Sequence, residues 1–416
     1  MDLIVKRANQ LITLRSASHK PIGERETRDL GVIEDGAIAI DRGRIVAADK
    51  TSRIESRFKS EETVVKSGKT VMPGFVDSHT HLVFQGAREE EFELRLQGAS
   101  YMEVLEKGGG ILKTVEQTRK ASKEELATAG MKRLDTMLNH GTTTVEAKSG
   151  YGLTVDDETK CLEVIKELHN SHPVDVVPTF LGAHAVPSEY KGRTDEYVEL
   201  LAENMIPGIA ARALAEFCDV FCENGIFDYA QSKIILEAGL ENGLVPKVHA
   251  DELTDAGGAQ LAAEVGAISA EHLLFASESG LKAMAEKGVI AVLLPAASFS
   301  LMTGRYADAR KIIQLGVPVA LGSDFNPSCW SENMQLTIGF ACRGLGVTPA
   351  EAITAATINA AYSMNRAEEV GSLEKGKKAD VVILDVPNYR YLGYRFGVNL
   401  VDMVIKEGKT VLGERE

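Results

Sequence analysis

The chain has 416 residues, 44% apolar and 25% charged, enough for a large buried core, and its length allows two to three domains of about 150 residues or an α/β barrel of about 250 with an addition. Its 46 basic and 60 acidic side chains leave a formal net charge of −14 with no compact Lys/Arg cluster, so nucleic acid and anionic membrane surfaces are poor partners. No window approaches the roughly 18 apolar residues of a membrane helix, and Met1 to Lys20 lacks the pattern of a secretory leader, so a soluble, cytoplasmic protein is expected.

Five cysteines, Cys161, Cys218, Cys222, Cys329 and Cys342, are an odd, scattered set that fits a reducing compartment better than a disulfide framework. Cys218 and Cys222 are read as small apolar side chains on or beside a strand, because no second pair follows to complete a zinc clip.

In chain order, the first sixty residues hold short strand-like runs with turn signals, such as Gly36 to Ile40, the turn Asp41-Arg42-Gly43, and Arg44 to Ala48. The far end is alike, with Val381-Val382-Ile383-Leu384 and Met403-Val404-Ile405 leading into Glu407-Gly408. Residues 1–68 and 366–416 therefore read as one composite β domain. Between them, over 69–365, apolar runs alternate with longer helical stretches, the pattern of parallel βα units. Eight candidate strands are Val71 to Asp77, Thr142 to Ala147, Val174 to Phe180, Asp219 to Cys222, Leu244 to His249, Ala267 to Glu271, Val289 to Leu294 and Val317 to Leu321. Helices are predicted at Asp156 to Asn170, Ser277 to Lys287 and Arg305 to Leu315, and a loop or helix break at Lys107-Gly108-Gly109-Gly110. Eight such strands close a (β/α)8 TIM-like barrel.

The chemistry concentrates where those strands end. In Asp77-Ser78-His79-Thr80-His81 the two histidines alternate on an extended segment and can present two imidazoles to one metal ion. His249 closes the fifth strand, His272 follows the sixth, and Asp324 lies just beyond the eighth, all at the face where such barrels gather catalytic groups. Imidazoles with a carboxylate suit zinc or ferrous iron rather than magnesium or calcium. Such an ion would lower the pKa of a water from 15.7 toward about 7 and polarise a carbonyl.

The segment Val71-Met72-Pro73-Gly74-Phe75-Val76-Asp77-Ser78-His79-Thr80-His81, with the later histidines and Asp324, resembles the metal-dependent amidohydrolase superfamily, whose members add a small β-sandwich built from both termini. Gly108-Gly109-Gly110-Ile111, Glu146 to Leu153, Gly182-Ala183-His184, Lys247 to Glu252 and Ser323 to Pro327 are similar, more narrowly, to the imidazolonepropionase family, which opens a ring in histidine degradation. The resemblance implies hydrolysis of the ring amide of 4-imidazolone-5-propanoate to N-formimidoyl-L-glutamate, with one zinc or iron ion, no organic cofactor and a homodimer. It implies metal ligation by His79, His81, His249 and Asp324, and substrate contacts by Arg88, Tyr151, His184, Glu252, Asn326, Ser328 and Cys329. Glu252, His272 and Asp324 form the implied catalytic set, with Glu252 shuttling a proton and His272 steadying the water or the oxyanion.

Three departures stand out. Many superfamily members bridge two metals with a carbamylated lysine on strand four, whereas this strand ends in Phe221-Cys222-Glu223-Asn224; a single metal is favoured, with Glu223 a minor candidate for a second site. Lys148 falls on strand two and is read as structural or substrate-facing. Many relatives carry Gly and then Ser or Thr where Ser328 and Cys329 stand, so contacts there would run through backbone groups. The rival readings are a deaminase of a nucleobase-like ring, which would release ammonia, and a catalytically silent assembly protein, which would have eroded ligands. Arg88 with Tyr151 favours an anionic substrate tail.

Overall fold

The computed structural model describes residues 1–15, 20–98 and 109–414, among which two sheets of eight strands form. The first draws on both ends of the chain: β1 (Leu3–Ile12), β2 (Val32–Asp41), β3 (Arg44–Lys50), β4 (Glu62–Val65), β5 (Thr70–Pro73), β14 (Val381–Leu384), β15 (Val401–Lys406) and β16 (Lys409–Leu412). Its order is β16-β15-β14-β5-β1-β2-β3, with β4 parallel to β1. Ile45 of β3 also pairs through its backbone with Gly376 and Lys377, just before β14, so the sheet curls back on itself. Leu3, Val5, Leu11, Ile38, Ile40, Val381, Ile383 and Ile405 pack inside that curl.

The second sheet is parallel throughout and runs in chain order: β6 (Phe75–Asp77), β7 (Thr142–Lys148), β8 (Asp175–Ala183), β9 (Phe217–Cys222), β10 (Val245–Ala250), β11 (Ser269–His272), β12 (Ile290–Leu293) and β13 (Val319–Leu321). A parallel bridge between Thr80 and Phe325, just past β6 and β13, draws the two edges together, so this is a nearly closed barrel. All eight barrel strands fall on apolar runs seen in the sequence. Helices cross between them and are capped locally: Ser122 and Glu125 form a capping box on Lys123–Asn139, Thr154 caps Val155–Ser171, and Ser277 caps Glu278–Lys287.

Two elements differ from expectation. The single run Val71 to Asp77 is two strands, β5 pairing with β1 and β14 in the terminal sheet and β6 with β7 in the barrel. Gly74 is the crossing point, where a Cβ would meet the Thr143 side chain at 2.3 Å. The helix expected over Arg305 to Leu315 is shorter, Ala309–Gln314, because the Asp308 side chain accepts from the Lys311 N–H and sets its start. Of the predicted glycine loop, Lys107 and Gly108 lie outside the described residues. Cys218 and Cys222 are buried on β9 with free thiols, as small core side chains.

Candidate active site

The bridge that closes the barrel also builds the site. The Asp324 N–H donates to the His79 carbonyl at 3.0 Å and the His81 N–H to the Phe325 carbonyl at 2.8 Å, which brings the two ends of the barrel sequence side by side. Asp324 Oδ1 then lies 3.4 Å from His79 Nε2 and 3.6 Å from His81 Nε2. His249 and His272 come from the ends of β10 and β11, with ring centroids 4.6 and 5.6 Å from that of His79. Asp324 and His272 both adopt left-handed backbone, φ 50° and 68°, a strained conformation of the kind that gathers at functional sites.

Among the described residues four groups of ligating atoms lie within 4.8 Å of one another: His79 with His81 and Asp324, His79 with His249 and His272, and, deeper, His79 with Glu146 and Glu271 and Asp219 with His249 and Glu271. Beneath the imidazoles, Glu271 Oε2 sits 2.8 Å from His79 Nδ1, and Asp219 Oδ2 2.9 Å from His249 Nδ1. A carboxylate only accepts, so with a cation at the centre each Nδ1 would carry the proton toward its carboxylate and each Nε2 would offer its lone pair to the ion. Both Nε2 atoms are buried without a hydrogen-bond partner among the described residues, and the Nδ1 atoms, though close to the carboxylates, also lack hydrogen-bond geometry to them, so this donor set has capacity to hold a cation. Burial works against charge on His79, but Glu271 prevails and raises it to about 9, so without a cation both ring nitrogens are protonated and a metal ion on Nε2 would replace that second proton.

Sequence reasoning missed this lower layer. Lys148 is fully buried with Nζ 2.7 Å from Asp219 and 3.0 Å from both Glu146 and Glu271, and Lys247 Nζ lies 2.8 Å from Glu146. Of the two readings open for Lys148, the structure supports the structural one, because its ammonium faces carboxylates below the histidines. Desolvation would raise Glu271, yet Lys148, Lys247 and His79 hold it well below the ordinary carboxylate range. The available signal was alternation: Glu146 and Lys148 on β7, Lys247 and His249 on β10, and Ser269 and Glu271 on β11 are each spaced by two.

Above the histidines opens a cavity of about 430 Å³, lined among others by His81, Arg88, Tyr151, His184, His249, Glu252, His272, Asp324, Asn326 and Ser328. Most of the expected substrate-contacting residues therefore meet there. The His184 ring stacks on His81 at 4.8 Å, and its Nδ1 lies 3.0 Å from the Gly150 carbonyl, so Nδ1 donates and Nε2 remains an acceptor. Burial depresses His184 and His272 to about 3, and both imidazoles are neutral. Desolvation, with Asp324 and Glu223 adding negative charge, pushes Glu252 up to about 8, and its Oε1 is 3.7 Å from His272 Nδ1.

Other expectations are redirected. Glu223, the minor candidate for a second metal, accepts from the Leu253 N–H at 2.8 Å and from Thr254, so its carboxylate anchors the loop carrying Glu252. The Asn326 amide donates to Asp324 Oδ1 at 2.9 Å and accepts from the Ser328 and Cys329 N–H groups, which engages it in holding Asp324. Ser328 reaches the cavity wall with its Oγ buried and, among the described residues, without a hydrogen-bond partner. The structure does not bring Cys329 to that wall: its thiol lies 3.6 Å from the Ser323 carbonyl, and its backbone N–H and C=O both pair with Asn326.

Residues 70–219 and 228–411 match the amidohydrolase family, to which the chain belongs. Within it the chain is one of the imidazolonepropionases: it is 53% identical to the imidazolonepropionase of Geobacillus kaustophilus (strain HTA426), over 99% of this chain and 98% of that one. The imidazolonepropionase of Alkaliphilus oremlandii (strain OhILAs) is 52% identical over 99% and 98%. Among solved structures, an adenosine deaminase from Xanthomonas campestris with bound zinc superposes with TM-score 0.72 at 21% identity, covering 100% of this chain and 94% of that one. Guanine deaminase from E. coli superposes with TM-score 0.74 at 16% identity, covering 99% of each. These two likenesses concern the fold.

Proposed function

We propose that this chain hydrolyses the ring amide of 4-imidazolone-5-propanoate to N-formimidoyl-L-glutamate, with one divalent transition metal ion held by His79, His81, His249 and Asp324. The observation that carries the reading is one cavity in which a histidine–carboxylate cluster with unpartnered Nε2 atoms meets guanidinium and phenol groups suited to an anionic tail. A zinc or iron ion in that cluster supplies Lewis-acid polarisation of the carbonyl and lowers the pKa of water toward about 7.

The chain's own groups do the rest. Arg88 and Tyr151 receive the propionate carboxylate, the phenol kept neutral because burial pushes its pKa up. His184 Nε2 accepts from a ring N–H. Glu252 in its ionised form takes the proton of the attacking water and returns it to the ring nitrogen as the carbon–nitrogen bond breaks; with its carboxyl raised to about 8, that form grows as the pH rises toward this value. Neutral His272 donates toward the oxyanion. Homodimer formation belongs to the same reading and rests on the family resemblance, and a cytoplasmic location is proposed with it from the scattered, odd set of cysteines, which fits a reducing compartment.

Metal-quantified protein incubated with imidazolone propionate tests this. Loss of the ring's ultraviolet absorbance without ammonia is expected, and chelation of the metal should abolish it. Ammonia release would mark a deaminase, and absence of turnover by metal-loaded protein a silent relative.

A further inference from the structure

The cavity is lined by a second guanidinium, that of Arg95, and the two arginines differ. Arg88 immediately precedes the helix Glu89–Leu96 and Arg95 lies on it, seven residues or about two turns later, so both favour one side. Arg88 is already paired: its Nε and Nη2 lie 2.9 and 2.8 Å from Oε2 of buried Glu91. The other oxygen of Glu91 accepts the Gly110 N–H at 2.9 Å, which fixes that carboxylate. Arg95 touches the same glutamate only through the backbone, its Nε donating to the Glu91 carbonyl at 3.3 Å. Its Nη2 is buried without a hydrogen-bond partner, and no carboxylate forms an ion pair with it among the described residues. Burial and the nearby charge of Arg88 both work against its protonation, yet a guanidinium keeps its charge at any working pH. The side chain is half-buried, and its buried, unpartnered Nη2 leaves donors that an anion in the cavity can complete.

Arg88, Glu91 and Arg95 together carry one net positive charge, the complement of a single carboxylate. We propose that Arg95 is the residue that makes the site specific for a monoanionic tail, with the Arg88–Glu91 pair forming the neutral, hydrogen-bonding side of the same seat. The inference rests on the substrate reading above and deepens it.

Full-length, metal-loaded wild type, Arg95→Met and Arg95→Lys would be compared on imidazolone propionate and on its methyl ester, in which the tail is neutral. In Arg95→Met the ratio of kcat/KM for the acid over the ester should fall about 10- to 100-fold, mainly through KM, as loss of a charge-assisted hydrogen bond implies. Arg95→Lys should recover part of the ratio, because charge returns without the planar fork. An unchanged ratio in Arg95→Met overturns the inference while wild-type ring opening still stands. If wild type opens neither ring, the functional reading fails, and calorimetric titration with imidazole-4-propionate decides the inference. Binding that Arg95→Met loses would support it, and equal binding would overturn it.

Discussion

The two sheets have equal strand numbers and opposite interiors. Inside the terminal sheet, Leu3, Val5, Ile38, Val381, Ile383 and Ile405 pack as aliphatic side chains. Inside the barrel, Glu146, Lys148, Asp219, Lys247 and Glu271 are fully buried directly beneath the histidines. A buried ion pair seldom outperforms a well-packed hydrophobic replacement, so stability alone does not explain this layer. Its carboxylates meet the Nδ1 atoms of His79 and His249, and its lysines keep those carboxylates ionised. The terminal sheet supplies packing, whereas the barrel interior gives up packing simplicity to aim two imidazoles.

The sharpest way to break this contrast is at the upper layer. His249→Ala should lose bound metal and at least about 10³-fold in kcat, several kcal/mol of transition-state stabilisation, with metal analysis and steady-state kinetics as the readouts. Retention of one tightly held ion would remove His249 from the ligand set. Next comes the lower layer against the terminal sheet. Lys148→Met leaves three carboxylates around an apolar side chain and should destabilise the fold by about 3–5 kcal/mol in urea unfolding. Ile383→Ala should cost about 2–5 kcal/mol through a cavity, yet leave the metal affinity of the folded protein intact. Equal effects of both substitutions on metal affinity would erase the distinction. The smallest effect belongs to Asp219→Asn, which keeps the shape and removes the charge behind His249; chelator competition should show metal affinity weakened about 10- to 100-fold.

Much of the fold was legible because its signals are local. Each barrel strand is an apolar run a few residues long, and the hairpin around Arg42-Gly43 announces itself by its turn. The break at Gly74 was not, because Val71 to Asp77 is apolar on both sides of it and only Thr143, across the fold, excludes a side chain there. In the site, His79 and His81 stood out by spacing and His249, His272 and Asp324 by their positions at strand ends. Glu271 and Asp219 did not, since nothing along the chain says which imidazole each carboxylate faces. Asn326 shows the same limit: its type fits a substrate contact, but its amide is engaged with Asp324 and the backbone that follows.

The order of residues by itself determined the alternation of strands and helices, the terminal β structure, the imidazole and carboxylate donors and the family, because all of these are written in short-range pattern and motif. Only the tertiary structure decided that His79 joins the His81 and Asp324 pair to the His249 and His272 pair, that Lys148 lies under the site and not in it, and that Arg88 is neutralised while Arg95 is not. Those outcomes depend on groups from different strands and loops meeting at atomic distance, and such meetings exist only once the barrel has closed.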